Sequence, residues 1–296
     1  MLKGVAVAFL SYALFSSSDA CTKALGALGM PIFQIVFLTT LATLSTLGLA
    51  KGTGDKWSEI FHLHRPRLVL LRAFCGVAAG LLGVYAFTTL PLAEAYSLLF
   101  LMPAFATILS IPFLGEEVGW RRWLAVVVGF GGVLLVVRPG FRELHLGHLA
   151  AACAAVFSAM AMITLRKLGP TEKRGSVLLV LYLVTLAVNA PFVLLDFHMP
   201  GMREIGIVLF GGIMGGLGQI GMMIATKLAP ANRVVPAQYS QIIWAVILGA
   251  AFFHELPDGI GFVGMALVVG SGLFTFFREE QLHHWSRRVL LLFSRP

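Results

Sequence analysis

Ten apolar runs, most of them about twenty residues long, succeed one another along this chain with short polar breaks between them. A helix needs roughly 20 apolar residues to cross the hydrocarbon core of a bilayer, so runs of that length constrain the fold more than any other feature. They cover Lys3 to Ala24, Met30 to Ala50, Leu68 to Thr88, Leu92 to Leu114, Trp120 to Val137, Gly147 to Lys167, Ser176 to Leu195, Glu204 to Thr226, Val234 to His254 and Gly259 to Phe277. Only 12% of the 296 residues are charged and 58% are hydrophobic, against about 25% charged in a soluble domain. Soluble classes are excluded, and an all-α membrane protein with ten transmembrane helices is expected. What remains for connections is too short to hold a separate folded domain, so function must lie inside the bundle. The first run has no small-residue cleavage site before the next charges and is expected to be retained.

The net charge of +8 does not point to nucleic acid, because the basic residues sit in clusters between apolar runs. With the N-terminus inside, eighteen of the 22 Lys and Arg fall on the inner side, leaving Lys23, Arg138, Arg142 and Arg203 outside. Cytoplasmic loops retain positive charge, so both termini are expected in the cytoplasm and the chain in the inner or plasma membrane. Cys21, Cys75 and Cys153 lie in apolar runs without metal-like spacing. Neither a disulfide framework nor a zinc site is expected.

The two halves of the chain resemble each other. A shift of 139 residues places Pro91 on Pro230, Phe100 on Tyr239, Phe105 on Trp244, Glu116 on Glu255, Gly76 on Gly215 and Gly131 on Gly270. A shift of 143 places Gly4, Leu25 and Gly26 on Gly147, Leu168 and Gly169. Five spans per half is an odd number, so the second copy enters the membrane inverted relative to the first, as in many secondary transporters. The loops agree: Arg121 and Arg122 follow the fourth span, whereas 254–259 carries no Lys or Arg. The expected units are 1–141, 142–278 and a cytoplasmic tail, 279–296.

These residues resemble a ten-helix, EamA-type member of the drug/metabolite transporter superfamily. The likeness runs from about Leu2 to Arg278 and is most specific at Pro91 to Ala95, Pro103, Gly115-Glu116 and Lys23. His254 stands where a Gly usually precedes the second Glu, and Phe15-Ser16 where many members have Trp-Gly. The resemblance implies two inverted five-helix repeats around a central cavity that moves small metabolites, often exporting amino acids.

Polar side chains are costly in hydrocarbon, so those within spans are candidates for the site. Gln238, Gln241 and Trp244 recur every three residues on one helical face about 120° wide. Two amides beside an indole can hold a zwitterion and cover an apolar side chain, or else the glutamines can bond neighbouring helices as packing contacts. Tyr96 and Phe100 share a face, as do Ser158 and Met162; Tyr85, Gln219 and Tyr239 complete the expected substrate-binding set. The glycines of the eighth span (Gly211, Gly212, Gly215, Gly216, Gly218, Gly221) and Gly76 and Gly80 of the third suit either close helix approach or cavity space.

Coupling or gating falls to Asp19, Lys23 and Glu94. Asp19 and Lys23 have the spacing of a helical ion pair, and Glu94 complements the dipole of its helix. No acid occupies the centre of a span, which favours a carrier driven by its substrate gradient and predicts that Asp19→Asn keeps appreciable flux. His145, His148, His198 and His254 are read as interfacial, and no metal, cofactor or catalytic group is expected; His254-Glu255 lacks the second His of a zincin helix. The tail Leu282 to Phe293 mixes basic and apolar residues, suiting either the inner leaflet or water. The leading function is alternating-access export of small metabolites, above all amino acids, across the bilayer by a chain compatible with a monomer. Carriage of nucleotide-like or flavin-like compounds, and a scaffold or receptor role, are the alternatives.

Overall fold

The computed structural model describes residues 2–46, 63–139, 143, 145–169, 172, 174–230 and 234–274. Every extended regular element in them is a helix. α1 spans Leu2–Ala27, α2 Ile32–Ser45, α3 Pro66–Thr89, α4 Leu92–Leu99, α5 Met102–Leu114, α6 Trp120–Val137, α7 Leu146–Leu168, α8 Arg174–Leu195 and α9 Met202–Leu228. A 3-10 turn, Val235–Tyr239, leads into α10, Ser240–Phe253, and α11 covers Gly259–Phe274. Among the described residues eight helical stretches are long and apolar enough to cross a bilayer, while α2 and α11 are shorter. Each expected span falls on a helix, with ends differing by a few residues where both are described. The tail at 279–296 and the boundary at 141/142 lie outside the described residues.

Two spans depart from simple helices, and both do so at proline. Pro103 has no N–H to offer Leu99, so the helix tightens at Phe100 and Leu101, where the Leu101 amide bonds the Leu98 carbonyl, before α5 restarts. In the second half, Pro236 sits within the 3-10 turn ahead of α10.

The halves interlace. α1 lies most extensively along α9, and α3 along α7, while α2 meets α9 and α8 meets α3. The glycines of α9 serve close approach on two faces. A side-chain carbon at Gly211 would strike Cys21, and one at Gly218 Phe15, both on α1; at Gly212 and Gly216 it would strike Ala42 and Thr46 beside or within α2. The Thr43 hydroxyl donates to the Gly212 carbonyl at 3.0 Å across that contact. α6 crosses α11 where a side-chain carbon at Gly132 would strike the Gly264 carbonyl, and one at Gly264 the Gly132 carbonyl. The outer faces carry Phe74, Val127, Leu134, Leu149, Phe252 and Ile260 exposed, as a lipid solvent permits.

Candidate functional site

A cavity of about 640 Å³ runs between α1, α3, α4, α5, α7 and the start of α10. Its wall includes Asp19, Tyr96, Phe100, Ser158, Met162, Gln238 and Gln241 from the residues expected on sequence grounds. α3 makes the room: Gly80 and Gly83 have nothing within van der Waals reach of a would-be side chain, so here glycine is space rather than packing.

Tyr96 organises the polar wall. Its hydroxyl donates to the Asp19 carboxylate, accepts from the Gln241 amide at 3.3 Å, and lies 3.3 Å from Ser16 Oγ. The ring is wedged between Phe87, at 5.1 Å between centroids, and Phe100, at 6.2 Å; Phe100 in turn stacks on Tyr239 at 5.2 Å. This places a carboxylate, a phenol and two amides beside an aromatic and aliphatic lining, a mixture suited to a ligand with a charged head and an apolar body.

Four expected residues stand elsewhere. Tyr239 backs Phe100 from outside the wall, with its hydroxyl against Gly272. Trp244 is half-buried and borders neither large cavity, because Gln238 lies in the 3-10 turn, whose three residues per turn align it with Gln241 and leave Trp244 rotated away. Tyr85 accepts bonds from Thr88 and Thr89 through its carbonyl, and its ring is not on the wall. Gln219 faces a second cavity of about 460 Å³ that shares Arg72, Met162 and Leu165 with the first.

The expected Asp19–Lys23 ion pair does not form. Lys23 instead bonds the Leu90 carbonyl at 2.5 Å and Glu255 at 2.7 Å, and Glu255 accepts the Leu92 amide at 3.1 Å, which ties the ends of α1, α3, α4 and α10 together. An uncompensated carbonyl and carboxylate at that junction outcompete the nearer Asp19, which Tyr96 satisfies. Glu94, in the first turn of α4, meets His148 Nε2 at 2.9 Å, so its partner is a side chain of α7 as well as its own helix dipole. Arg138 and Asp258 pair at the same end of the bundle. At the opposite end Glu116 meets Arg166 at 3.5 Å and Arg122 at 4.0 Å. Among the described residues no group of His, Cys, Asp or Glu is placed to hold a metal.

Sequence reasoning gave Glu255, His148 and Arg72 no part in the site. Glu255 was available as the repeat partner of Glu116, and Arg72 as a charge inside the run LVLLRAFC (68–75). His148 carried no signal, since its partner is 54 residues distant.

The EamA-like transporter family matches the chain over 2–138 and again over 145–277. The chain belongs to the EamA-like transporter family. Its helices and its family together make it a multi-pass membrane protein. This EamA-like chain is 29% identical to a riboflavin transporter of Vibrio cholerae, over 87% of its own length and 84% of that protein. It is 25% identical to an S-adenosylmethionine uptake transporter of Rickettsia conorii (95% and 94%) and 28% identical to a pseudopaline exporter of Pseudomonas aeruginosa (90% and 93%). A crystal structure 19% identical to it superposes with a TM-score of 0.66 over 95% of this chain and 99% of the other, which shows a shared fold.

Proposed function

We propose that the protein is a secondary transporter that exports amino acids and related small metabolites across the inner or plasma membrane by alternating access. The observation that carries this reading is the main cavity, where Asp19, Gln238 and Gln241 face an aromatic and aliphatic lining. Asp19 suits an ammonium group, the glutamines suit the remaining polar atoms, and Phe100 and Met162 cover an apolar side chain.

Two inverted five-helix units, 1–141 and 142–278, form the moving parts. Helix pairing supports this, since α1 on α9 is answered by α7 on α3, and α2 on α9 by α8 on α3, the pattern that exchanging the halves generates. With both termini cytoplasmic, the end closed by Lys23–Glu255, Glu94–His148 and Arg138–Asp258 is external, and the second cavity leads inward. The molecule then stands open to the cytoplasm, ready to load an exported substrate.

The test is counterflow into liposomes with the purified chain and each of the twenty amino acids. Saturable exchange of at least one, slowed by Gln241→Ala without loss of melting temperature, is expected; no saturable exchange of any rejects the reading. A second reading, transport of flavin-like or nucleoside-like compounds, is favoured by the cavity volume and by the named relatives. Exchange of riboflavin or S-adenosylmethionine in the same liposomes, with none of amino acids, establishes it instead. No exchange of any of these compounds favours a receptor or scaffold.

A further inference from the structure

Arg72 stands apart from the other basic side chains of the bundle. It lies inside an apolar run of α3, and both its Nε and its Nη1 are buried without a hydrogen-bond partner. Lys23, Arg138 and Arg166 each have a carboxylate within ion-pair distance; Arg72 has none among the described residues. Donors left unpaired away from water are destabilising, a cost that intramembrane charges sustain where they face a pathway for substrate.

The surroundings fit that use. Arg72 borders the main cavity and the second one, so it sits where the two meet. One turn along α3, Gly76 borders the main cavity, and beyond it Gly80 and Gly83 leave the wall open. Asp19 borders the same cavity from α1, giving the chamber one fixed cation and one carboxylate.

We infer that Arg72 is the anion anchor of the transport site and that the substrate it receives carries a carboxylate. This rests on the main cavity being the transport site. Arg72 is only partly buried and lines both cavities, so the guanidinium donates to the substrate carboxylate from the edge it presents there, and the ammonium of the same molecule turns towards Asp19. Arginine suits the role because its charge persists at any physiological pH and its planar donors match a carboxylate.

Thermal unfolding of the purified full chain in detergent tests the assignment. The probes are the twenty amino acids, their amides, 4-methylpentanoate as a carboxylate without an ammonium, and inorganic phosphate. At least one carboxylate should raise the melting temperature while its amide does not. R72Q should weaken the apparent Kd for that acid roughly ten- to hundredfold, the loss expected for a charge-assisted bond. R72K, which retains the charge and guards against misfolding of the Gln variant, should weaken it less while still preferring acid to amide. Equal protection by an acid and its amide, an unchanged Kd in R72Q or R72K, protection by phosphate as strong as by the acids, or protection by no acid overturns the inference. The liposome assay separates this from the amino-acid reading. Binding of 4-methylpentanoate that R72Q abolishes, with no amino-acid exchange, leaves Arg72 assigned and removes amino acids as cargo; amino-acid exchange unchanged by R72Q does the reverse.

Discussion

The helix ends at Gly115-Glu116 and His254-Glu255 are built alike and used differently. In both, the first residue adopts a left-handed backbone, φ +68° at Gly115 and +55° at His254. In both, the glutamate amide reaches back six residues, Glu116 to the Ser110 carbonyl and Glu255 to that of Gly249. Their partners also correspond, since the shift of 143 that relates Gly26 to Gly169 carries Lys23 onto Arg166. Yet Lys23 and Glu255 are 10% and 26% exposed at 2.7 Å, whereas Arg166 and Glu116 are 50% and 40% exposed at 3.5 Å. The same turn geometry yields a tight clasp at one end and a loose contact at the other.

The largest effect that would sharpen this contrast lies in double-mutant cycles on the two pairs. Lys23→Met leaves Glu255 enclosed beside the Leu92 amide without its cation, at a cost on the order of 3 kcal/mol. Arg166→Met should cost below about 0.5 kcal/mol, as for an exposed pair. Denaturant unfolding in mixed micelles measures both, and equal coupling energies for the two pairs would show the ends to be equivalent in this state.

A second contrast lies one turn inward. Asp19 precedes Lys23 by four residues, and Met162 precedes Arg166 by four, so the cavity receives a carboxylate from one half and a thioether from the other. With Asp19 on the wall rather than paired to Lys23, Asp19→Asn is expected to slow amino-acid flux roughly tenfold, the worth of one charge-assisted contact, while Met162→Leu changes it little. A pH-sensitive dye trapped in the liposomes should stay silent during wild-type exchange. A dye signal proportional to substrate, lost in Asp19→Asn, would make this acid a proton-coupling group.

The smallest expected effect concerns the left-handed turn itself. His254 has a side chain where Gly115 has none, and this backbone region costs a non-glycine residue about 1 kcal/mol. His254→Gly should therefore raise the melting temperature modestly, and Gly115→Ala should lower it. A lower melting temperature for His254→Gly would mean that the imidazole contributes more through its surroundings than the turn costs.

The helices were legible because apolar run length reports on a bilayer directly, and the resemblance between halves was legible at Glu116 and Glu255. What the sequence hid were choices between partners. Lys23 has Asp19 one turn away, and only the fold reveals that Glu255, 232 residues distant, lies closer to its ammonium. Likewise Gln238, Gln241 and Trp244 look like one stripe until the 3-10 turn changes the pitch beneath the first of them. Spacing along a regular helix is readable from sequence, whereas a change of pitch at Pro236 or an empty wall at Gly80 depends on what the other half brings.

The pairing of α1 with α9 and of α3 with α7 also has a consequence for how the chain is made. A ribosome delivers the first five spans to the bilayer well before α7 and α9 exist. The faces of α1 and α3 that end against those late helices must meanwhile rest against lipid, with Asp19 and Arg72 still lacking the walls that will enclose them. Maturation therefore waits on the final third of the polypeptide, and a nascent chain halted after α6 should remain open to proteolysis and to the membrane's quality-control machinery.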